Sequence, residues 1–270
     1  MARRGVVVPG SKTALVTGAS KGIGRSFALR LAAMGYNVLM VSLDQAELEA
    51  TASEVSAVSD KVWVRHLVKD MAEMNAAEEL FAWTKQQGVK VDVLINNAGM
   101  FSFCDILSTP VERIERMLLL HDMTATKMCR LYATDMAARG GGYILNMSSY
   151  SIWMPYPGLS LYSASKAYLK SFSVAFSKEV RDKGVYVTAI CPAGIATDLY
   201  GLSPKLQRFG LKTGILMSPD SCARRSLNGL FRKQRCKVPD WWFRLFIPVC
   251  QMLGGAPMRW LRNFTMQFQK

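Results

Sequence analysis

An α/β fold built on one doubly wound parallel sheet is what this sequence predicts, and three observations carry that prediction. Short apolar runs alternate with helix-periodic segments from Thr13 to Cys191, the order that parallel strands with crossover helices require. A glycine-rich turn, Thr17-Gly18-Ala19-Ser20-Lys21-Gly22-Ile23-Gly24, joins the first apolar run to the first helical one. The 270 residues are 50% hydrophobic, enough to bury one large core without splitting. The reading is therefore a single domain over residues 1–270, with a variable C-terminal extension at 199–270.

Taken in order, Thr13–Thr17 reads as a buried first strand, and Phe27, Leu31 and Met34 recur at helical spacing behind the turn. Strand, glycine turn and helix make a phosphate-binding corner: glycine lets the backbone approach a pyrophosphate that sits at the helix N-terminus. Gly18, Ser20, Lys21, Gly22, Ile23 and Gly24 are its candidate residues. Asn37–Ser42 is the second strand, Gln45–Ser56 a helix and Lys61–His66 the third strand. Val91–Ile95 is the fourth, closed by Asn96-Asn97-Ala98-Gly99. A single long helix is expected from Val111 to Met136, then a fifth strand at Gly142–Ser149 and a sixth at Val185–Cys191. Leu199–Met217 is expected to be a mobile segment, and Asp220–Phe231 a helix capped by Ser218 with Pro219 in its first turn.

The chemistry concentrates between Ser149 and Lys166. Ser149 ends an apolar strand, and Tyr162 and Lys166 follow at i and i+4 on one helix face. Bringing a tyrosine from about 10 to about 7 takes roughly 4 kcal/mol of preference for the phenolate. An ammonium about 4 Å away supplies about 4 kcal/mol at an effective dielectric near 20. The pair is thus expected to run acid–base chemistry near neutrality.

Ser149, Tyr162 and Lys166, the GxxxGxG turn, Asn96-Asn97-Ala98-Gly99 and Pro192-Ala193-Gly194-Ile195-Ala196-Thr197 together resemble the short-chain dehydrogenase/reductase family. Leu145-Asn146-Met147-Ser148-Ser149 and the Pro155-Tyr156-Pro157-Gly158 loop resemble the subgroup of 17β-hydroxysteroid dehydrogenases and long-chain 3-oxoacyl reductases. The resemblance implies a Rossmann-type sheet, a nicotinamide cofactor, and hydride transfer between its C4 and a carbonyl or secondary alcohol. Tyr162 would pass the proton, Lys166 tune it and hold the nicotinamide ribose, and Ser149 bind the substrate oxygen. It further implies that Asn97, Ala98 and Gly99 lie against the cofactor and that Pro192, Ile195 and Thr197 hold the nicotinamide amide. Ala193 stands where the family usually has glycine. Asp70 matches an acid that meets the adenine amino group, or it caps the next helix near Asn75. His121 falls where the family carries a fourth catalytic residue, an asparagine. It either supports a water, through its ring or its carbonyl, or is a core histidine. Ser42 and Leu43 occupy the positions that distinguish NAD from NADP users, and Lys21 suits a 2′-phosphate while Asp44 lies close by. The balance favours NADP(H) over NAD(H).

Trp153, Met154, Pro155, Tyr156 and Leu202 would form an apolar mouth, pointing to a hydrophobic, lipid-like small-molecule carbonyl or alcohol. Tyr150 would also line it. By the same resemblance, Ala167, Phe172 and Phe176 suit a homodimer or homotetramer. Six scattered cysteines without a CxxC pair, and two histidines, leave neither a disulfide framework nor a metal site. The apolar run of the N-terminus stops at Val8, too short for a signal peptide, so a cytoplasmic protein is expected. From Gly201 onward thirteen Lys or Arg face two acids, so +11 of the +14 net charge lies there. Basic residues beside Trp241–Ile247 suit an anionic membrane surface, or an arm packed on the domain or a partner copy. No nucleic-acid module is present. A catalytically silent dinucleotide-binding regulator is the alternative from another class, with His121 its best support.

Overall fold

The computed structural model describes residues 8–154, 156–197, 203–240 and 243–252, with side chains to residue 248. Seven parallel strands stand in the order β3-β2-β1-β4-β5-β6-β7. They are β1 Thr13–Thr17, β2 Asn37–Ser42, β3 Val64–Val68, β4 Val93–Asn96, β5 Gly142–Met147, β6 Val185–Ile190 and β7 Cys236–Lys237. The inner strands read as unbroken apolar runs because helices cover both faces; every residue of β1 and β4 is buried.

On one face α1 Gly22–Ala33, α2 Gln45–Ser56 and α8 Pro219–Phe231 bury Phe27, Leu31, Leu48, Val55, Leu227 and Leu230. On the other, α3 Ala76–Gln86 and α5 Ala125–Ala138 bury Leu80, Met128, Tyr132 and Met136, and α6 Ser160–Glu179 lays Phe172 and Phe176 against them. The strand order reverses between β1 and β4, and the carboxyl ends of strands flanking such a reversal open a crevice for a ligand.

Several expected elements shift. The third strand is Val64–Val68 rather than Lys61–His66, because Val38 pairs with Val64. The single helix over 111–136 is instead α4 Val111–Leu118, a wide π-helical turn at Leu119–Thr124, and α5. Part of the segment expected to be mobile is a helix, α7 Pro204–Thr213, whose N-cap Ser203 accepts from the Leu206 N–H. α8 starts as expected, with the Ser218 side chain accepting from the Ser221 N–H. The C-terminal arm contributes the short edge strand β7 and α9 Phe243–Met252. No described helix is long and apolar enough to cross a membrane.

Candidate active site

The glycine corner forms because nothing larger fits it. A Cβ on Gly24 would stand 1.9 Å from the Gly18 carbonyl oxygen, and one on Gly18, whose φ is +63°, would stand 2.9 Å from Ala98 Cα. Helix and strand therefore touch backbone to backbone, and Asn97 locks the contact. Its Nδ2 donates to the Thr17 and Gly18 carbonyls at 3.0 and 3.1 Å, while the Thr17 hydroxyl accepts from the Asn97 and Ala98 N–H groups at 3.1 Å each. Lys21, the N-cap of α1, places no side-chain acceptor on the first-turn N–H groups, and no acid lies in that turn. Those donors face a cavity of about 720 Å³ lined by Gly18, Ser20, Lys21, Gly22, Ile23, Gly24, Asp70, Asn97, Ala98, Gly99 and Thr197. A concave site of that size with an open helix N-terminus fits a dinucleotide.

A smaller cavity of about 70 Å³ adjoins it through Ile23, Asn97, Gly99, Met100 and Thr197, and holds Ser149, Tyr162, Lys166, Pro192 and Ile195. All the candidate residues except His121 thus line one of two connected spaces. Ser149 caps the short turn Tyr150–Trp153, accepting from the Ser151 N–H at 3.1 Å, and hydrogen-bonds the Tyr162 hydroxyl. Its neighbour Ser148 points elsewhere and donates to the Lys166 carbonyl at 2.7 Å. Lys166 is buried; its ammonium donates to the Met147 carbonyl at 3.0 Å and lies 5.9 Å from the centroid of the Tyr162 ring.

The electrostatics differ from the expectation that Lys166 draws Tyr162 towards neutrality. Burial pushes Tyr162 up to about 12, and the Ser149 hydrogen bond pulls it back only in part. Burial also brings Lys166 down to about 8, against the upward pull of Asp122. Desolvation is the largest influence on both groups, and the ammonium is engaged by a backbone carbonyl.

His121 sits behind this group on the π-helical turn, 1% exposed. Its Nε2 accepts from the Met100 N–H at 3.0 Å, and its Nδ1 is 2.9 Å from Ser165 Oγ. Ser165 donates its own hydrogen to the Tyr162 carbonyl at 2.9 Å. The only consistent arrangement is a neutral ring with the proton on Nδ1, and burial, then the charge of Lys166, hold the ring well below its usual value. Both ring nitrogens are therefore committed to protein atoms, and the ring reaches the Tyr162 backbone through Ser165.

Two further residues escaped the sequence reading. Asp122, next to His121 on the wide helical turn, is raised to about 6 by burial, against the charge of Lys166. Arg116 lines the large cavity and pairs with Asp70 at 2.6 Å. Asp70 also accepts from the Ala72 N–H at 2.8 Å, so its carboxylate orders the loop before α3 while it faces the cavity. The α4 face that carries Arg116 was the available signal. Tyr150 does not line the cavities; it is buried, and its hydroxyl donates to the Phe243 carbonyl at 2.7 Å. Trp153 and Met154 join it under α9, drawn there by the apolar side chains Phe243 and Ile247. Tyr156 faces Phe103, with ring centroids 6.0 Å apart. Pro155, Leu202, Leu199, Gly201, Trp241 and Trp242 lie outside the described residues.

Among the described residues no group of three or more His, Cys, Asp or Glu is placed to hold a metal ion. The profile of the family described as short chain dehydrogenase matches residues 12–205. A very-long-chain 3-oxoacyl-CoA reductase of Pyrenophora tritici-repentis is 34% identical over 185 residues, covering 67% of this chain and 54% of that protein. Mouse 17-beta-hydroxysteroid dehydrogenase type 3 is 34% identical over 191 residues, 69% of this chain and 61% of its own. The chain thus spans little more than half the length of these relatives. A solved short-chain dehydrogenase from Sphingobium yanoikuyae in complex with NADPH superposes with a TM-score of 0.77 at 27% identity, over 91% of this chain and 97% of that one.

Proposed function

This chain belongs to the short-chain dehydrogenase family, and from that premise we propose that it is an NAD(P)(H)-dependent oxidoreductase that reduces a hydrophobic, lipid-like ketone. The observation that carries this reading is the buried Ser149–Tyr162–Lys166 group opening onto a cavity continuous with a dinucleotide-sized one. The nicotinamide, when bound, supplies the hydride. Ser149 and Tyr162 both present hydroxyls to a carbonyl oxygen entering the small cavity, and Tyr162 delivers the proton. Because burial holds Tyr162 near 12, the phenol is loaded with its proton at neutral pH. That is the state reduction needs, whereas oxidation would need the phenolate. Lys166 supports the phenolate left after transfer. The intact trio speaks against a silent regulator.

The hydrophobic substrate class is supported by aromatic side chains around the reacting hydroxyl. Phe101 stands edge-on to Tyr162 at 5.1 Å, with Phe103 against Tyr156 beyond. The reductase and steroid dehydrogenase names of the relatives agree with it. NADP(H) is the favoured coenzyme: neutral Ser42 stands at the end of β2, and Lys21 lines the cavity beside it. A second copy would pack on α6, where Tyr168, Phe172 and Phe176 stack at 6.2 and 5.3 Å and Tyr168 is 44% exposed. Cys104, Cys129, Cys191, Cys222 and Cys236 are free thiols, which suits the reducing cytoplasm. Exposed Leu245 and Phe246 beside Arg244 suit a peripheral contact with an anionic membrane surface.

A Tyr162→Phe variant tests the mechanism. Turnover of 3-oxoacyl or steroid ketones, followed by NADPH oxidation, is expected to fall about 10²–10⁴-fold while dinucleotide affinity stays unchanged. Undiminished turnover would remove Tyr162 as proton donor.

A further inference from the structure

Around the adenosine end of the large cavity, each basic side chain of the lining meets a carboxylate. Lys21 pairs with Glu47 at 2.9 Å, Arg25 with Glu54, Lys69 with Glu73 and Glu79, and Arg116 with Asp70 at 2.6 Å. The first of these pairs differs from the others in what else it holds. Glu47 Oε1 accepts from Lys21 Nζ, and its Oε2 accepts from Ser20 Oγ at 3.1 Å. Ser42 Oγ in turn donates to Ser20 Oγ at 2.9 Å. Lys21, Ser20 and Ser42 all line the cavity, so one carboxylate behind the lining organises three of its polar groups. Asp44, the other nearby acid, is committed to its own helix as the N-cap of α2, accepting from the Glu47 N–H at 2.8 Å.

We propose that Glu47 is the positioning residue that sets coenzyme choice, by competing with a ribose 2′-phosphate for Lys21 and the Ser20–Ser42 hydroxyls. The inference rests on the reading of the cavity as a nicotinamide dinucleotide site. A 2′-phosphate carries more charge than a carboxylate and offers three acceptor oxygens, so it can take over the Lys21 ammonium and both serine hydroxyls. It does so against the Glu47 carboxylate, which must give up its partners and then stands near a like charge. A neutral 2′-hydroxyl meets no such competition. It leaves the pair intact and adds a donor within the reach of an acidic acceptor, the arrangement that suits NAD(H). Glu47 therefore narrows the preference for NADP(H) that Lys21 and Ser42 create. The ion pair is open to solvent, with the Lys21 side chain 65% exposed and that of Glu47 39%, so it can exchange partners without unfolding anything.

The test is equilibrium binding, which needs no substrate. NADPH, NADH, 2′,5′-ADP and 5′-AMP are titrated by calorimetry against the wild type, Glu47→Gln, Lys21→Met and the double variant. Glu47→Gln is expected to tighten NADPH and 2′,5′-ADP about fivefold, the scale of one exposed ion pair, and to leave NADH and 5′-AMP unchanged or weaker. With Lys21→Met in place, the same substitution is expected to move the NADPH/NADH affinity ratio by less than about twofold. A ratio unchanged in Glu47→Gln, or both coenzymes shifting together as for a structural role, overturns the inference while the cofactor reading stands. A wild type that binds neither dinucleotide overturns the cofactor reading and the inference with it.

Discussion

The segment up to Gly99 and the segment after it treat their buried polar atoms differently. In the first, side-chain polar groups close on the backbone that shapes the corner. Asn97 and Thr17 bind the β1–β4 ends together, Asn37 bridges Gly10 and Trp63, and Thr51 donates to the Ser20 carbonyl at 2.6 Å. Among the described residues, the buried side-chain oxygens and nitrogens without a protein partner all come later. They belong to Arg113, Asp122, Thr124, Ser151, Ser163, Asn228 and Asp240. Several of these lie within a few residues of Ser149, Tyr162 or His121. Each buried unpaired polar atom costs stability, and such departures from a satisfied interior concentrate at functional sites. The first segment closes its buried polar groups on protein atoms, and the second leaves several of them without a protein partner near Ser149, Tyr162 and His121.

The sharpest way to break this comparison is Thr17→Val. It keeps shape but removes the acceptor for two N–H groups and the donor to the Ile95 carbonyl. It is expected to cost about 2–3 kcal/mol in urea unfolding; a loss under about 0.5 kcal/mol would show that the scaffold does not depend on the closed network.

Next in size is a pH effect at the reaction centre. His121 is held neutral in the fold, well below its usual value, by burial and then by Lys166. The unfolded chain takes up that proton below about pH 6.5, so the stability this ring contributes is full above 6.5 and is lost as pH falls. The loss deepens as pH falls further below 6.5. Asp122 acts in the opposite sense. Its folded value of about 6 is raised by burial, so the fold binds its proton first and gains stability as pH falls through 6. His121→Asn is therefore expected to be relatively more stable at pH 5 than at pH 7 when each is compared with the wild type, and Asp122→Asn relatively less stable at pH 5. Urea titrations at both pH values that give parallel losses for all three proteins would contradict the neutral-ring assignment.

The smallest expected effect is at Ser163, whose Oγ is buried without a protein partner. Ser163→Ala should change stability by less than about 0.5 kcal/mol, in contrast to Thr17→Val. A loss comparable to that of Thr17→Val in the same unfolding assay would erase the difference between the two segments.

Much of the site was legible because its signals are local. The glycine turn needs only neighbouring residues to show that a helix must start against a strand, and Tyr162 and Lys166 share a face by spacing alone. Ser149 was separable from Ser148 by its distance along the chain from Tyr162, and the structure brings Ser149, not Ser148, to the tyrosine hydroxyl. Less was legible where a helix departs from regular spacing. The π-helical turn at Leu119–Thr124 divides an apparently continuous helix and carries both His121 and Asp122. Tyr150 was read as lining the substrate mouth; the partner of its hydroxyl, the Phe243 carbonyl, lies 93 residues away, where no local pattern shows it. β7 has two residues, too few for any periodic signal.

By itself the sequence determined the alternation of strands and helices, the tight glycine corner between the first strand and helix, and the placing of Tyr162 and Lys166 on one helix face. Each follows from contacts within a few residues or from a pattern that burial on two faces imposes. Only the tertiary structure decided the burial of that pair and the partners of His121. Both depend on partners far along the chain: Ser165 is 44 residues from His121, and Met147 lies 19 from Lys166. A pKa is set by the medium and the groups around a side chain, and those exist only once distant segments have packed.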